Sequence, residues 1–323
     1  MRLDRILSVY WFYPLRRLAR RENGLRIPIL MYHSVSGRDE CSHHPYYETN
    51  VRPEVFIRQM QYLADRHFQV ISLSEAVSML TDRPGARLQH PEAGHSPTKA
   101  YCVLTFDDGF RDFFHTAWPI LEQYKFASTV FLPTGRISDE RQGMGTRDCL
   151  TWGEVKTLAA VGVEFGAHTV SHVQLYDLVS ARREKDKRML SSVIKKESFA
   201  VPSKKRTDGG PTPIEYELLA SKAKIENTLG KSVSYYSYAY AFPEQDRAFV
   251  GMYETALRQA GYRAAVSTRV GTARHGDNPY TLRRIPVNSY DDPLLFRAKL
   301  AGAYDWLARP QLLSKLLRAG RAC

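Results

Sequence analysis

Cysteine is scarce in this chain, with four residues in 323, at positions 41, 102, 149 and 323. They form no CxxC pair and no second pair at zinc-finger spacing. That excludes a cysteine-ligated structural zinc module and gives no support to a disulfide-stapled scaffold. Long apolar runs are also missing. The one near the N-terminus, Ile6 to Tyr13, is too short to cross a bilayer, and no small-residue cleavage site follows it. With neither a leader nor a spanning segment recognisable, the expected compartment is the cytoplasm, with a peripheral position on the inner face of the membrane as an extension. No internal repeat is visible, which excludes solenoids and propellers.

What is present is an ordinary globular composition, with 43% hydrophobic and 25% charged residues. A chain of this length can bury a substantial core. The net charge of +12 is unevenly placed. Residues 1–26 carry seven arginines against Asp4 and Glu22, and residues 178–210 carry ten Lys/Arg against four acids. These segments contribute +5 and +6, so the remainder is nearly neutral. Basic appendages on a neutral body attract anionic membranes, nucleic acid or anionic substrates. In residues 1–24, Trp11, Phe12 and Tyr13 lie between arginines, a composition suited to a membrane interface, or to a helix packed on the body.

Along the chain, apolar runs alternate with helical periodicities. "IPILMYHSV", "AYCVLTF", "ASTVFLPTG", "VEFGAHT", "VSYYSYAYAFP", "YRAAVST" and "YTLRRIPV" read as buried strands. Helical patterns separate most of them. One opens on a capping box, Ser72 with Glu75, and another ends at Gly230. Such alternation predicts a parallel sheet covered by helices, and about seven units favour a barrel. The expected organisation is a basic segment at 1–24, a body at 25–300 with a basic insertion near 182–213, and a helical tail at 301–323.

In barrels, chemistry sits where strands end. Polar residues at those ends are His33, Asp107 with Asp108, His168 with His172, and the turn at Pro243. Two adjacent carboxylates after a buried strand repel each other and lose hydration, so a cation is needed nearby. Two imidazoles and one carboxylate suit Zn²⁺ or a similar divalent ion, with a position left for water. In that arrangement Asp108 serves as a ligand and Asp107 is free to act as a base. A DDG turn or an HxxxH pair alone has a plain structural reading; their joint occurrence at successive strand ends carries the weight.

"TFDDG", followed some sixty residues later by "HTVSH" and then by a tyrosine/proline strand end, resembles the NodB-type polysaccharide deacetylases, carbohydrate esterase family 4. The resemblance covers roughly residues 27–300. It implies an α/β fold, a distorted (β/α)7 barrel. It also implies Asp107 as catalytic base, Asp108, His168 and His172 as metal ligands, and one divalent ion, zinc foremost with cobalt or nickel as alternatives. "MYHSV" and "LRRIPV" are similar to the branch that deacetylates extracellular or lipid-linked glycans, where a histidine of the N-terminal "YH" motif serves as general acid; here that is His33. The family's third motif carries an arginine and a Pro-Tyr-Gly stretch, whereas this chain reads "YSYAYAFPEQD" with neither the arginine nor the glycine. Arg284, at another strand end, is the candidate to supply the missing charge.

The reaction so implied is metal-assisted hydrolysis of an N-acyl group on a glycan or lipid-linked saccharide. The oxyanion is met by the metal and a backbone N–H near Tyr240. Tyr238, Tyr240 and Trp152 are candidates either to stack on sugar faces or to pack in the core. The competing class is an inactive barrel that binds membrane or nucleic acid through its basic segments; the intact Asp/Asp/His/His set favours the enzyme, and nucleic acid is the weaker partner.

Overall fold

The computed structural model describes residues 2–18, 24–38, 47–81, 100–179 and 211–320. The basic insertion read at 182–213 lies almost wholly outside these, as do Cys41 and Cys323. Cys102 and Cys149 are buried free thiols.

Seven parallel strands close into a ring. They are β1 (Ile29–Tyr32), β2 (Tyr101–Phe106), β3 (Thr129–Leu132), β4 (Glu164–Ala167), β5 (Tyr235–Ser237), β6 (Ala264–Val270) and β7 (Leu282–Pro286). Neighbours around the ring are β1, β7, β6, β5, β4, β3 and β2, and β2 returns to β1 with Ile29 opposite Val103 and Tyr32 opposite Phe106. All six residues of β2 and all four of β3 are buried, as expected for strands covered on both faces. The register slips between Val266 and Val270 where β6 meets β7, an irregularity that distorts the barrel. The expected distorted (β/α)7 barrel is the architecture found.

Local chemistry sets the helix boundaries. Thr151 with Glu154 and Thr212 with Glu215 form reciprocal capping boxes that open Trp152–Ala160 and Pro213–Leu229, and Gly230 at φ 63° closes the latter. Ser72 and Glu75 exchange the expected capping hydrogen bonds before Leu73–Thr81.

One strand differs from the sequence reading. "VSYYSYAYAFP" leaves the sheet at Ser237, six residues before Pro243. Tyr240 takes a left-handed conformation at φ 62°, which breaks the extended run. Tyr238 and Phe242 turn inward, their rings meeting edge-on at 4.9 Å. The apolar alternation is real, but it fills a loop core.

The N-terminal segment is helical from Leu3 to Leu18, with a π-helical stretch at Leu7–Phe12, and it lies against the body. Buried Asp4 accepts from Arg2 (2.6 Å) and from the hydroxyl of Tyr304 (2.9 Å). Arg2 also faces Asp291 at 3.6 Å, Arg5 pairs with Asp292, and Arg16 with Asp305 at 3.3 Å. Phe12 stacks on Trp306, whose indole N–H donates to Ser8. Three of the arginines read from sequence as lipid-facing charge are therefore joined to acids of the body. Within the tail read at 301–323, Ala308–Gly320 is a helix packed on the body: Gln311 and Lys315 reach the backbone of Thr268 and Phe242.

Candidate active site

Asp107 follows β2, and its amide donates to the carbonyl of Tyr32 on β1. Its carboxylate turns into the barrel mouth, where Arg284 of β7 meets it through two parallel hydrogen bonds, Nη1 to Oδ1 at 2.7 Å and Nη2 to Oδ2 at 2.6 Å. Ser237, at the end of β5, donates to the same carboxylate and accepts from Arg284 Nη2 at 3.0 Å. The remaining guanidinium donors reach Ser267 O and Thr105 Oγ1, so all five N–H groups have acceptors. Burial alone would push the Asp107 carboxyl up. The charges of Arg284 and His168 and the Arg284 hydrogen bonds outweigh it, holding Asp107 below the usual carboxylate range. The cation that two adjacent buried carboxylates require is thus placed against Asp107 by β7.

Asp108 points the other way. Its Oδ1 lies 3.3 Å from His168 Nε2 and 2.9 Å from His172 Nε2, and the three ligand atoms lie within 4.8 Å of one another. His168 Nδ1 sits 2.8 Å from the carbonyl of Ser237. A carbonyl can only accept, so Nδ1 carries a proton and Nε2 is left as the atom that faces Asp108, able to offer a lone pair once its own proton is lost. His172 Nδ1 is paired with the Tyr240 hydroxyl at 3.1 Å. Both imidazoles are thus oriented by outer partners, as in metal-ligating histidines. The donor set, its tautomer and its burial fit one divalent ion of the zinc type.

The backbone here is strained on purpose. Asp108 (φ 71°), Thr169 (68°), His172 (57°) and Tyr240 (62°) are four of the six non-glycine residues with positive φ among the described residues. Each such conformation costs about 1–3 kcal/mol and persists only where surroundings enforce it. Gly109 continues the turn at φ 58°, where a Cβ would come within 2.8 Å of Leu132 Cδ2. Glu217 enforces the other half. Fully buried on helix Pro213–Leu229, it accepts from the amides of Val170 (2.7 Å) and Ser171 (3.1 Å) and from the Ser171 hydroxyl (2.7 Å). It clamps the turn between the two histidines.

His33 follows β1 and is half-buried at the same mouth, within electrostatic reach of both Asp107 and Asp108. Its neighbours are held by Asp112, which accepts from the Ser34 hydroxyl and the Val35 amide. Tyr240 is 53% exposed beside His172, its ring centroid 4.9 Å from the imidazole. Tyr238, Trp152 and Pro243 do not belong to a sugar-stacking surface. Tyr238 is enclosed by Phe242, Phe249 and Tyr253, Trp152 is a buried first-turn residue of its helix, and Pro243 is buried in the loop. Their aromatic or cyclic character serves packing. Ser237, Glu217 and Asp112 belong to no motif of the sequence; the signal for Glu217 is a carboxylate among the mostly apolar buried positions of its helix.

A profile of the polysaccharide deacetylase family matches residues 94–265. This chain belongs to that family. It is 25% identical over 271 residues to YxkH of Bacillus subtilis (strain 168), whose name places it with the polysaccharide deacetylases; the match spans 83% of this chain and 73% of that protein. Among solved structures it is similar to the Streptococcus pyogenes deacetylase PplD in complex with acetate (TM-score 0.61, 22% identity, 86% and 99% of the two chains). It is also similar to IcaB from Ammonifex degensii (TM-score 0.60, 20% identity, 87% and 98%). At those identities the structures establish the shared barrel. The family match places the chain among enzymes that deacetylate glycans.

Proposed function

We propose that this deacetylase removes an N-acyl group, acetyl first, from an amino sugar of a polymeric or lipid-linked glycan, using one divalent ion held by Asp108, His168 and His172. The observation that carries this reading is the division of labour between adjacent carboxylates: Asp107 locked on Arg284 and Ser237, Asp108 facing two Nε2 atoms. A zinc-type ion, when bound, would polarise the acyl carbonyl and favour ionised water. Asp107, kept ionised and fixed in direction, accepts the proton of the attacking water. His33 then protonates the sugar nitrogen as the C–N bond breaks, without which the amine would be a poor leaving group. Arg284 does not touch substrate: it is enclosed and acts by holding Asp107. Tyr240 orients His172, and its exposed ring borders the mouth where a sugar would enter.

The test is metal content beside amine release from N-acetylated oligosaccharides. One bound equivalent and measurable release are expected for the native protein, with both lost in His168→Ala. Undiminished release from a protein stripped of divalent ions, or a fully active His168→Ala, would overturn the assignment.

A further inference from the structure

The N-terminal helix carries apolar side chains on both sides: Val9 is buried and Phe12 and Tyr13 pack on the core, while others face outward. A surface helix normally turns its apolar stripe to the core and its charges to water. Here Arg2, Arg5 and Arg16 are joined to Asp4, Asp291, Asp292 and Asp305 on the body side. Leu3, Tyr10, Trp11, Leu15 and Leu18 are instead 56–80% exposed. Ordered this way, the segment gains little from water on its outer side.

Beside it lies a cavity of about 700 Å³ whose floor includes Phe12 and Trp306. Five arginines line it, Arg16, Arg269, Arg274, Arg283 and Arg309, against two carboxylates, Glu244 and Asp305. Like charges crowd there: burial and the guanidiniums of Arg274 and Arg16 hold nearby Arg26 below its ordinary value. The same cavity is walled by the start of the C-terminal helix, on which Leu313 and Leu316 are also exposed. That helix touches the catalytic loop, since Lys315 donates to Phe242, two residues beyond Tyr240.

We propose that this face docks on an anionic phospholipid surface, with Tyr10, Trp11, Leu15 and Leu18 entering the interface and phosphate headgroups taken by the arginine-lined cavity. Tyrosine, tryptophan and leucine beside cations match the two components of interfacial binding, apolar insertion and headgroup attraction. The excess of cationic over acidic groups in the cavity supplies the complementarity that a neutral lipid or an uncharged protein partner would leave unused. Docking does not depend on the reaction catalysed.

The full-length protein is mixed with vesicles of phosphatidylcholine, with and without phosphatidylglycerol. Co-sedimentation and a blue shift of Trp11 emission are expected with the anionic vesicles, and the shift should vanish in Trp11→Phe while sedimentation persists. Trp11→Ser with Leu15→Ser should lower partitioning at least about tenfold. Arg283→Gln with Arg309→Gln should weaken binding to anionic vesicles and flatten its salt dependence. These surface variants should keep the native thermal midpoint. Failure to bind anionic vesicles better than neutral ones overturns the proposal, as does unchanged binding by Trp11→Ser with Leu15→Ser. Loss of a native dimer in that variant, with no vesicle effect, would instead make the face an interface between copies.

Discussion

Arg284 and Asp107 face each other through two hydrogen bonds of 2.7 and 2.6 Å, with both residues all but closed to water. They come from β7 and from the end of β2, 177 residues apart in sequence. The pairing keeps the base ionised and aims it. A lysine in the same place has one point charge and cannot reproduce the fork.

Arg284→Lys should therefore lower kcat/KM and move its acidic limb to higher pH. Burial pushes the Asp107 carboxyl up and Arg284 pulls it down; weakening the pull leaves the push, so a more alkaline solution is needed to ionise the base. The pH profile of acyl release checks this. An acidic limb at its native position would show that Arg284 does not govern Asp107. Asp107→Asn should keep the metal and lose about 10²–10⁴-fold in turnover, the range of general-base catalysis.

Tyr240→Phe removes the hydroxyl that pairs with His172 Nδ1 and leaves the ring. Outer partners of metal-bound histidines are worth about 10–100-fold in metal affinity. Competition with a chelator should show a loss of that order with little change in thermal midpoint. Unaltered affinity would assign Tyr240 to the substrate alone.

Glu217→Gln tests the clamp on the histidine turn. One acceptor oxygen becomes a donor facing amide and hydroxyl donors, which costs about 1–3 kcal/mol of stability for each buried group left unpaired. Denaturant titration reads that loss, and metal affinity should fall with it, because the turn places both His168 and His172.

The docking of the N-terminal helix should weaken in acid. Burial raises the Asp4 carboxyl, but its hydrogen bonds to Arg2 and Tyr304 hold it below its ordinary value. The corresponding bond from Arg5 does the same for Asp292. A depressed carboxyl contributes stability above its unfolded pKa of about 3.9, and that contribution fades as pH falls through the lower folded value. Asp4→Asn should cost about 1.5–3 kcal/mol at pH 6, as expected for hydrogen bonds to a charged group. The gap to the native protein should narrow as pH drops toward 3. A gap independent of pH would mean that packing of Phe12 and Trp306 dominates.

The alternation of strands with helices and the chemical identity of Asp107, Asp108, His168 and His172 are local properties. Mostly apolar runs of strand length, helix caps three residues apart, and polar residues placed just after those runs are all legible along one stretch of chain. Pairings between strands are not. Nothing in "YSYAYAFP" says that the strand stops at Ser237, because a loop that folds its own aromatics inward has the same composition as a buried strand. Ring closure then brings the ends of β2, β5 and β7 to one mouth, and only that closure joins Arg284 and Ser237 to Asp107. The N-terminal arginines illustrate the same limit from the other side. Their charge was plain in the sequence, but whether it faces lipid or Asp291, Asp292 and Asp305 depends on which side of the helix meets the barrel, and that is settled by contacts nearly three hundred residues away.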